Sequence, residues 1–291
     1  MASIRKVKLN SQRLQIDPGR LAHGRHERLG SPSRHLGNQR LLDIYLPPGY
    51  DIDVFRRYPV LYMHDGNNLF FPELAFGGMP WHVDRTLDRL IALKLVQPMI
   101  VVGIHNTMGR NSEYTWSQMR TRWGREGGQG PRYAAYLTEE VKPLIDRRYR
   151  TLADPWHTGV MGSSLGGLIS LYMGLHYPHV FGQIGMVSPS LWWNHREALR
   201  HAHGFMPGQN LWLDMGTREG HSRQRVDYNP NIHNTRALKQ ILQRRGYIEG
   251  HNLGYLEDRG ALHNEWWWGQ RLHLPLMFFW GTEKGRKLIV K

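Results

Sequence analysis

The sequence predicts an α/β fold: a mostly parallel central sheet with an antiparallel hairpin at its amino-terminal side and helices on both faces. Short apolar runs rich in β-branched residues recur along the chain. Stretches with helical apolar periodicity separate them. The first strand-like run alternates polar and apolar residues where the later ones do not. Strands that are apolar throughout are buried on both faces, which in a chain alternating strands with helices implies parallel pairing between two helical layers.

The elements follow in order. NQRLLDIYLP (38–47) alternates and stops at Pro47-Pro48-Gly49, so it reads as a half-buried strand of an N-terminal hairpin. YPVLYMHDG (58–66) is a continuous apolar run ending in a turn signal. WHVDRTLDRLIALK (81–94) sets Val83, Leu87, Leu90 and Ile91 on one helical face, and MIVVGIHN (99–106) is the next strand. In YAAYLTEEVKPLIDRRY (133–149), Leu137, Val141, Leu144 and Ile145 share a face, and Pro143 marks a kink or a first turn. HTGVMGSS (157–164), FGQIGMVSPS (181–190) and NLWLDMGT (210–217) are further strands. NIHNTRALKQILQRR (231–245) is a helix closing on Gly246, and GYLEDRG (254–260) is a weaker last strand.

The chain of 291 residues suits one domain with a core from about 23 to 281 and loose ends. It has no cysteine, which excludes disulfides and thiolate metal sites. No apolar stretch approaches the length that crosses a bilayer, and no secretory signal opens the sequence, so a cytoplasmic protein without a membrane partner is expected. The formal charge of +14 is expected to spread over the surface. No dense basic run interleaves with aromatics, so no specific nucleic-acid partner is expected. The ends IRKVK and EKGRKLIVK read as loose basic termini. Oligomeric state is left open, a homodimer included.

The chemistry concentrates in TGVMGSSLGGLISLYM (158–173). GxSxG is a weak string in a glycine-rich chain, but here it follows a strand-like run and opens an apolar helix. That is a nucleophile elbow: Ser164 must project from a strained turn, and small residues at 162 and 166 let strand and helix approach. Among 17 histidines, His263 alone follows the last strand and precedes a terminal helix. Asp214, Glu219 and Asp227 are the candidate acids. Reach from the top of the sheet favours Glu219, with Asp214 second. Oxyanion donors would be the backbone N–H of Leu165 and that of Asn67 or Gly66 in HDGNN. Trp192, Trp193 and Trp266 (with its neighbours to Trp268) are candidates to line a substrate pocket, core burial being the commoner fate of tryptophan. Arg110, Glu113 and Tyr114 follow MIVVGI in a long loop, where a structural ion pair is expected. His201 and His203 lack a carboxylate at matching spacing, so neither metal nor cofactor is expected.

These residues carry a resemblance. From about His23 to Gly281 the chain resembles the putative-esterase family of α/β-hydrolases, which includes feruloyl, acetylxylan and enterochelin-type esterases, S-formylglutathione hydrolases and mycolyltransferases. The matching stretches include RLLDIYLPPGYD, YPVLYMHDGNNLF, YLTEEVKPLIDRRYRT, GVMGSSLGGLISLYMGLHYPHVFGQIGMVSPSLWW, LWLDMGTRE and HNEWWWGQRL. The resemblance implies the α/β-hydrolase fold, with Ser164 at the nucleophile position, Glu219 at the acid position, His263 at the base position and Asn67 as the oxyanion-loop donor. Departures are Ser163 where many members have His, HDGNN where others have HGG, and Trp116 where proline is expected; they bear on the substrate. The implied function is a serine carboxylic-ester hydrolase acting through an acyl-enzyme on a small or polymer-linked ester. An acyltransferase with an alcohol or sugar acceptor is the near alternative. A non-catalytic or polyanion-binding protein is the distant one, and the intact Ser, Glu and His set argues against it.

Overall fold

The computed structural model describes residues 3–7, 21–122, 124–220 and 230–290. The chain opens with an antiparallel hairpin, β1 (Arg25–Ser33) and β2 (Asn38–Leu46). β3 (Val60–Met63), α1 (Val83–Ala92) and β4 (Ile100–Ile104) follow. Next come a short helix α2 (Arg110–Glu113) and a two-stranded ribbon, β5 (Gln118–Thr121) with β6 (Gly124–Gly127). A long helical segment then includes α3 (Gly130–Ala135) and α4 (Lys142–Arg148). The rest alternates: β7 (Thr158–Ser163), α5 (Leu165–His176), β8 (Gln183–Val187), α6 (Trp193–His201), β9 (Asn210–Gly216), α7 (Pro230–Arg244) and β10 (Leu253–Asp258). Three helices close the chain, α8 (Glu265–Arg271), α9 (His273–Trp280) and α10 (Glu283–Ile289).

The strand order is β1-β2-β4-β3-β7-β8-β9-β10, with the hairpin antiparallel and β4 to β10 mutually parallel. The continuous apolar strands divide their side chains between two cores, as period-two geometry requires. Val60 and Tyr62 join one core with Leu168 and Leu238, while Leu61 and Met63 join the other with Leu87 and Met277. This two-sided burial is what their unbroken hydrophobicity predicts.

Pro143 falls in the first turn of α4, and the residues before it, Tyr136–Val141, form a π-helical turn joining α3 to α4. Proline removes one ladder hydrogen bond and crowds the carbonyl four residues back, so the wide turn is where the helix absorbs it. Gly246 caps α7 at φ +96°, with the Tyr247 N–H bonded back to the Leu242 carbonyl.

Several features depart from expectation. The ends are not loose where described: Ile4 bridges Val290, the Arg5 N–H donates to the Ile289 carbonyl, and residues 283–289 form α10. Ile4 and Ile289 are buried in the second core, so apolar contacts outweigh the basic composition of these segments. The stretch expected as a long loop after β4 contains α2 and the β5–β6 ribbon. Among the described residues no helix is long and apolar enough to cross a membrane.

Candidate active site

Ser164 occupies the turn between β7 and α5 at φ 58° and ψ −121°, a conformation costly for a residue with a Cβ. Neighbouring packing imposes it. A Cβ on Gly162 would lie 2.9 Å from the backbone of Gly166, and one on Gly167 would lie 3.0 Å from the Val187 carbonyl oxygen. The Ser164 N–H donates to that same carbonyl at 3.0 Å, and its own carbonyl accepts from Leu168 as α5 begins. The side chain therefore stands at the carboxyl edge of the sheet.

Two sequence-distant side chains meet it there. His263 Nε2 lies 3.0 Å from Ser164 Oγ, and His263 Nδ1 lies 2.8 Å from Glu219 Oε2. An ionised carboxylate only accepts, so Nδ1 carries the proton of the neutral ring and Nε2 accepts from the serine hydroxyl. The indole of Trp268 stands edge-on to the imidazole, with ring centroids 4.9 Å apart at 86°. Asn264, directly after His263, caps α8 by accepting from the Trp267 N–H.

Glu219 is buried. Its Oε1 accepts from Ser188 Oγ at 2.7 Å, from the Gly216 N–H at 2.7 Å and from Arg271 Nη2 at 3.3 Å. Burial alone would raise its pKa; the His263 hydrogen bond, the Arg271 charge and the Ser188 hydroxyl together hold it below the ordinary glutamate value. Asp214, the second candidate acid, faces away from His263: it accepts from Arg271 and from the Trp212 indole N–H, and burial pushes its pKa up. Asp227, the third, lies outside the described residues.

The loop after β3 forms the opposite wall. Asp65 is left-handed at φ 55° and Gly66–Asn68 makes one 3₁₀ turn. A Cβ on Gly66 would lie 2.4 Å from the Gly103 backbone, so only glycine lets the loop lie against β4. Asp65 is gripped by Arg110 Nε at 2.6 Å and Nη2 at 2.8 Å, and its N–H donates to the Tyr114 hydroxyl. Glu113 pairs with buried Arg40 at 2.9 Å. The expected ion pairs after β4 are thus present, and Arg110 also reaches the site: it lines a cavity of about 490 Å³ together with Ser164, His263, Asn67, Glu265 and Trp268. Glu265 accepts from Asn68 Nδ2 at 3.2 Å, and burial, with Asp65 nearby, pushes its pKa up.

The remaining aromatic candidates lie elsewhere. Trp193 is buried and donates its indole N–H to the Ser117 carbonyl, and Trp192 is exposed beside it. Neither lines the cavity containing Ser164. Trp266 lines a separate cavity with Lys6, Arg85 and Arg89. Among the described residues, Trp268 is the tryptophan that lines this cavity. Helical geometry explains the split, since successive residues of α8 point in directions about 100° apart. Ser188 and Arg271 had no signal in the sequence, and Ser190 had a slight one. Ser190 Oγ lies 3.1 Å from Ser164 Oγ, and its position in the SPS turn after β8 is the one clue available.

Known proteins agree with this architecture. Residues 33–279 match the family described as putative esterase. YbbA of Bacillus subtilis (strain 168) is 28% identical over 259 residues, spanning 88% of this chain and 98% of that protein. The ferri-bacillibactin esterase BesA of the same organism is 26% identical over 194 residues, 59% of this chain and 64% of BesA. Among solved structures, an IroE-like serine hydrolase from Shewanella oneidensis has a TM-score of 0.66 at 20% identity, covering 86% of this chain and 80% of its own. The enterobactin esterase of Shigella flexneri has a TM-score of 0.68 at 22% identity, over 88% of this chain and 59% of that one. These structural likenesses show a shared fold. With the family match running from the end of β1 to the end of α9, the chain belongs to the putative esterase family and is a carboxylic ester hydrolase of the α/β-hydrolase fold.

Proposed function

We propose that ester hydrolysis runs through Ser164 as nucleophile, His263 as general base and Glu219 as its orienting acid. The observation that carries this reading is the bridging imidazole, 3.0 Å from Ser164 Oγ on one side and 2.8 Å from Glu219 on the other. Both lie within proton-transfer reach.

Ser164 Oγ attacks the ester carbonyl while its proton passes to His263 Nε2. The carbonyl oxygen becomes an oxyanion, which the backbone N–H groups of Leu165 and Asn67 are suited to hold. First-turn helix amides lack partners within the helix, and Leu165 is the first residue of α5. The C–O bond then breaks, the imidazolium returns its proton to the departing alkoxide, and an acyl-Ser164 remains. Water attacks it with His263 again as base, releasing the acid and restoring the serine. Glu219 keeps the proton on Nδ1 and stabilises the imidazolium.

The cavity sets the amides of Asn67, Asn68 and Asn106 against Leu74 and Phe76. Such walls suit an ester part with both hydroxyl and aromatic surface, so esters of the kind named for the relatives, catecholate siderophore and feruloyl, head the substrate panel. A fluorophosphonate should label Ser164 one-to-one and stop hydrolysis of short p-nitrophenyl esters. Ser164→Ala should retain no more than roughly 10³-fold acceleration over water. Full activity in that variant would end the proposal.

A further inference from the structure

Behind Glu219 lies a cluster that the mechanism above does not use. The Arg271 side chain, 1% exposed, gives Nε and Nη2 to Asp214 Oδ1 at 3.0 and 2.9 Å. Nη2 also reaches Ser188 Oγ at 2.7 Å and Glu219 Oε1 at 3.3 Å. Nη1 lies 3.7 Å from Asp258 Oδ2, and Lys6 Nζ caps the other oxygen of Asp258 at 2.5 Å. Ser188 is saturated: it accepts from Arg271 and from the Trp268 indole, and donates to Glu219.

The cluster therefore sets two fixed cations, Arg271 and Lys6, against three buried carboxylates, Asp214, Glu219 and Asp258. It is one positive charge short. We infer that Arg271 is a positioning residue whose single charge, shared among Asp214, Glu219 and Asp258, is portioned so that protonation of His263 completes the balance. The inference rests on the assignment of Ser164, His263 and Glu219 made above.

Two consequences follow from the geometry. First, three donors fix Glu219 Oε1, which leaves Oε2 aimed at His263 and sets the plane of the carboxylate. Second, Arg271 lies closer to Asp214 than to Glu219, so Glu219 keeps a share of negative charge that a private guanidinium would cancel. The uncompensated charge faces His263 through Glu219 Oε2, where the imidazolium forms as Ser164 attacks. Stabilisation that exists only on the way to the tetrahedral intermediate raises turnover rather than binding. Asp214, second candidate for the acid, becomes a competitor for the cation.

The groups facing His263 are Ser164 from the β7–α5 turn, Glu219 beyond β9, and Trp268 and Glu265 on α8, with the mutually paired Asp65 and Arg110 across the cavity. Those facing Arg271 are Asp214 on β9, Asp258 on β10, Glu219, Ser188 after β8 and the Trp267 carbonyl, with Lys6 behind Asp258.

The test is the pH profile of kcat/KM on a short p-nitrophenyl ester, with the titration of the downfield His263 Nδ1 proton followed by NMR in the same variants. Asp214→Asn removes a negative charge and leaves Arg271 to Glu219. The imidazolium loses support, so the acid limb and the NMR midpoint should both move to lower pH, by about half a unit to one unit. Asp258→Asn, farther from His263, should move them the same way by less. Arg271→Met should move them to higher pH, and Asp214→Asn keeps the test alive if that variant fails to fold. A purely structural cluster would lower kcat or stability with both midpoints unmoved, and that result overturns the inference. Glu219→Gln separates this failure from that of the assignment beneath it: full activity there removes both, whereas lost activity with unmoved midpoints removes only the role of Arg271.

Discussion

At the scale of single residues, the site depends on hydrogen-bond direction more than on residue type. Ser164 has two hydroxyl-range neighbours, His263 Nε2 at 3.0 Å and Ser190 Oγ at 3.1 Å. With the Ser164 proton directed to the imidazole, Ser190 must donate to Ser164 Oγ. A hydrogen bond of this kind contributes about 0.5–1.5 kcal/mol net. Ser190→Ala should therefore lower kcat roughly two- to tenfold with little change in KM, measured on a single short ester; an unchanged kcat would reduce Ser190 to a packing role. Glu219 also carries a stability consequence. Its folded pKa is depressed, so the stability it contributes is present above the ordinary glutamate value of 4.5 and is lost as pH falls through the folded value below it.

At the scale of elements, short local signals place the catalytic candidates and non-local contacts hold them. His263 sits between β10 and α8, and the Asn264 side chain caps α8 immediately after it. Asn264→Ala should cost about 1 kcal/mol by removing that cap. It should also lower kcat, because the imidazole and the Trp268 ring against it share the helix start. Asn264→Asp should restore most of both, and thermal unfolding with esterase rates checks the pair. Full kcat in a destabilised Asn264→Ala would separate the cap from the site. The elbow shows the same division. GxSxG between a strand and a helix was legible because turn chemistry is local, whereas the contacts that compel Ser164 into positive φ come from Val187 on the neighbouring strand. The β5–β6 ribbon and the α8 tryptophans were not legible. Short polar strands lack a strong period, and three consecutive tryptophans give no hint of which one turns toward the imidazole.

At the scale of the whole molecule, the two cores enclose groups whose protonation is linked to folding. His64 and His273 are buried, and desolvation pushes their pKa values down from 6.5 to about 3 and about 4. Below 6.5 the unfolded chain takes up a proton at each that the folded chain refuses, so stability falls with falling pH in that window. The two together should remove roughly 2–3 kcal/mol between about pH 7 and pH 5.5. Urea unfolding at the two pH values measures this, and His273→Gln should remove about half of the slope. Stability that is flat or rising on acidification would contradict the burial argument. The ends of the described chain belong to this scale as well. Ile4 on Val290 joins the amino-terminal segment to the end of α10, and Lys6 on Asp258 joins it to β10 and the cluster behind Glu219, which no reading of loose basic termini foresees.

The amino-acid order was enough to predict most of the alternating strands and helices, the two-sided burial of the sheet and the elbow at Ser164, and to favour His263 and, among three acids, Glu219 as its partners. These follow from hydrophobic period and turn chemistry, which act over a few neighbouring residues. The tertiary structure alone decided that Asp214 faces a buried guanidinium while Glu219 faces His263, that Trp268 rather than Trp192, Trp193 or Trp266 meets the imidazole, and that one arginine serves three carboxylates. Such choices turn on contacts between side chains up to 57 positions apart in the chain, and they exist only once the strands carrying them have found their register.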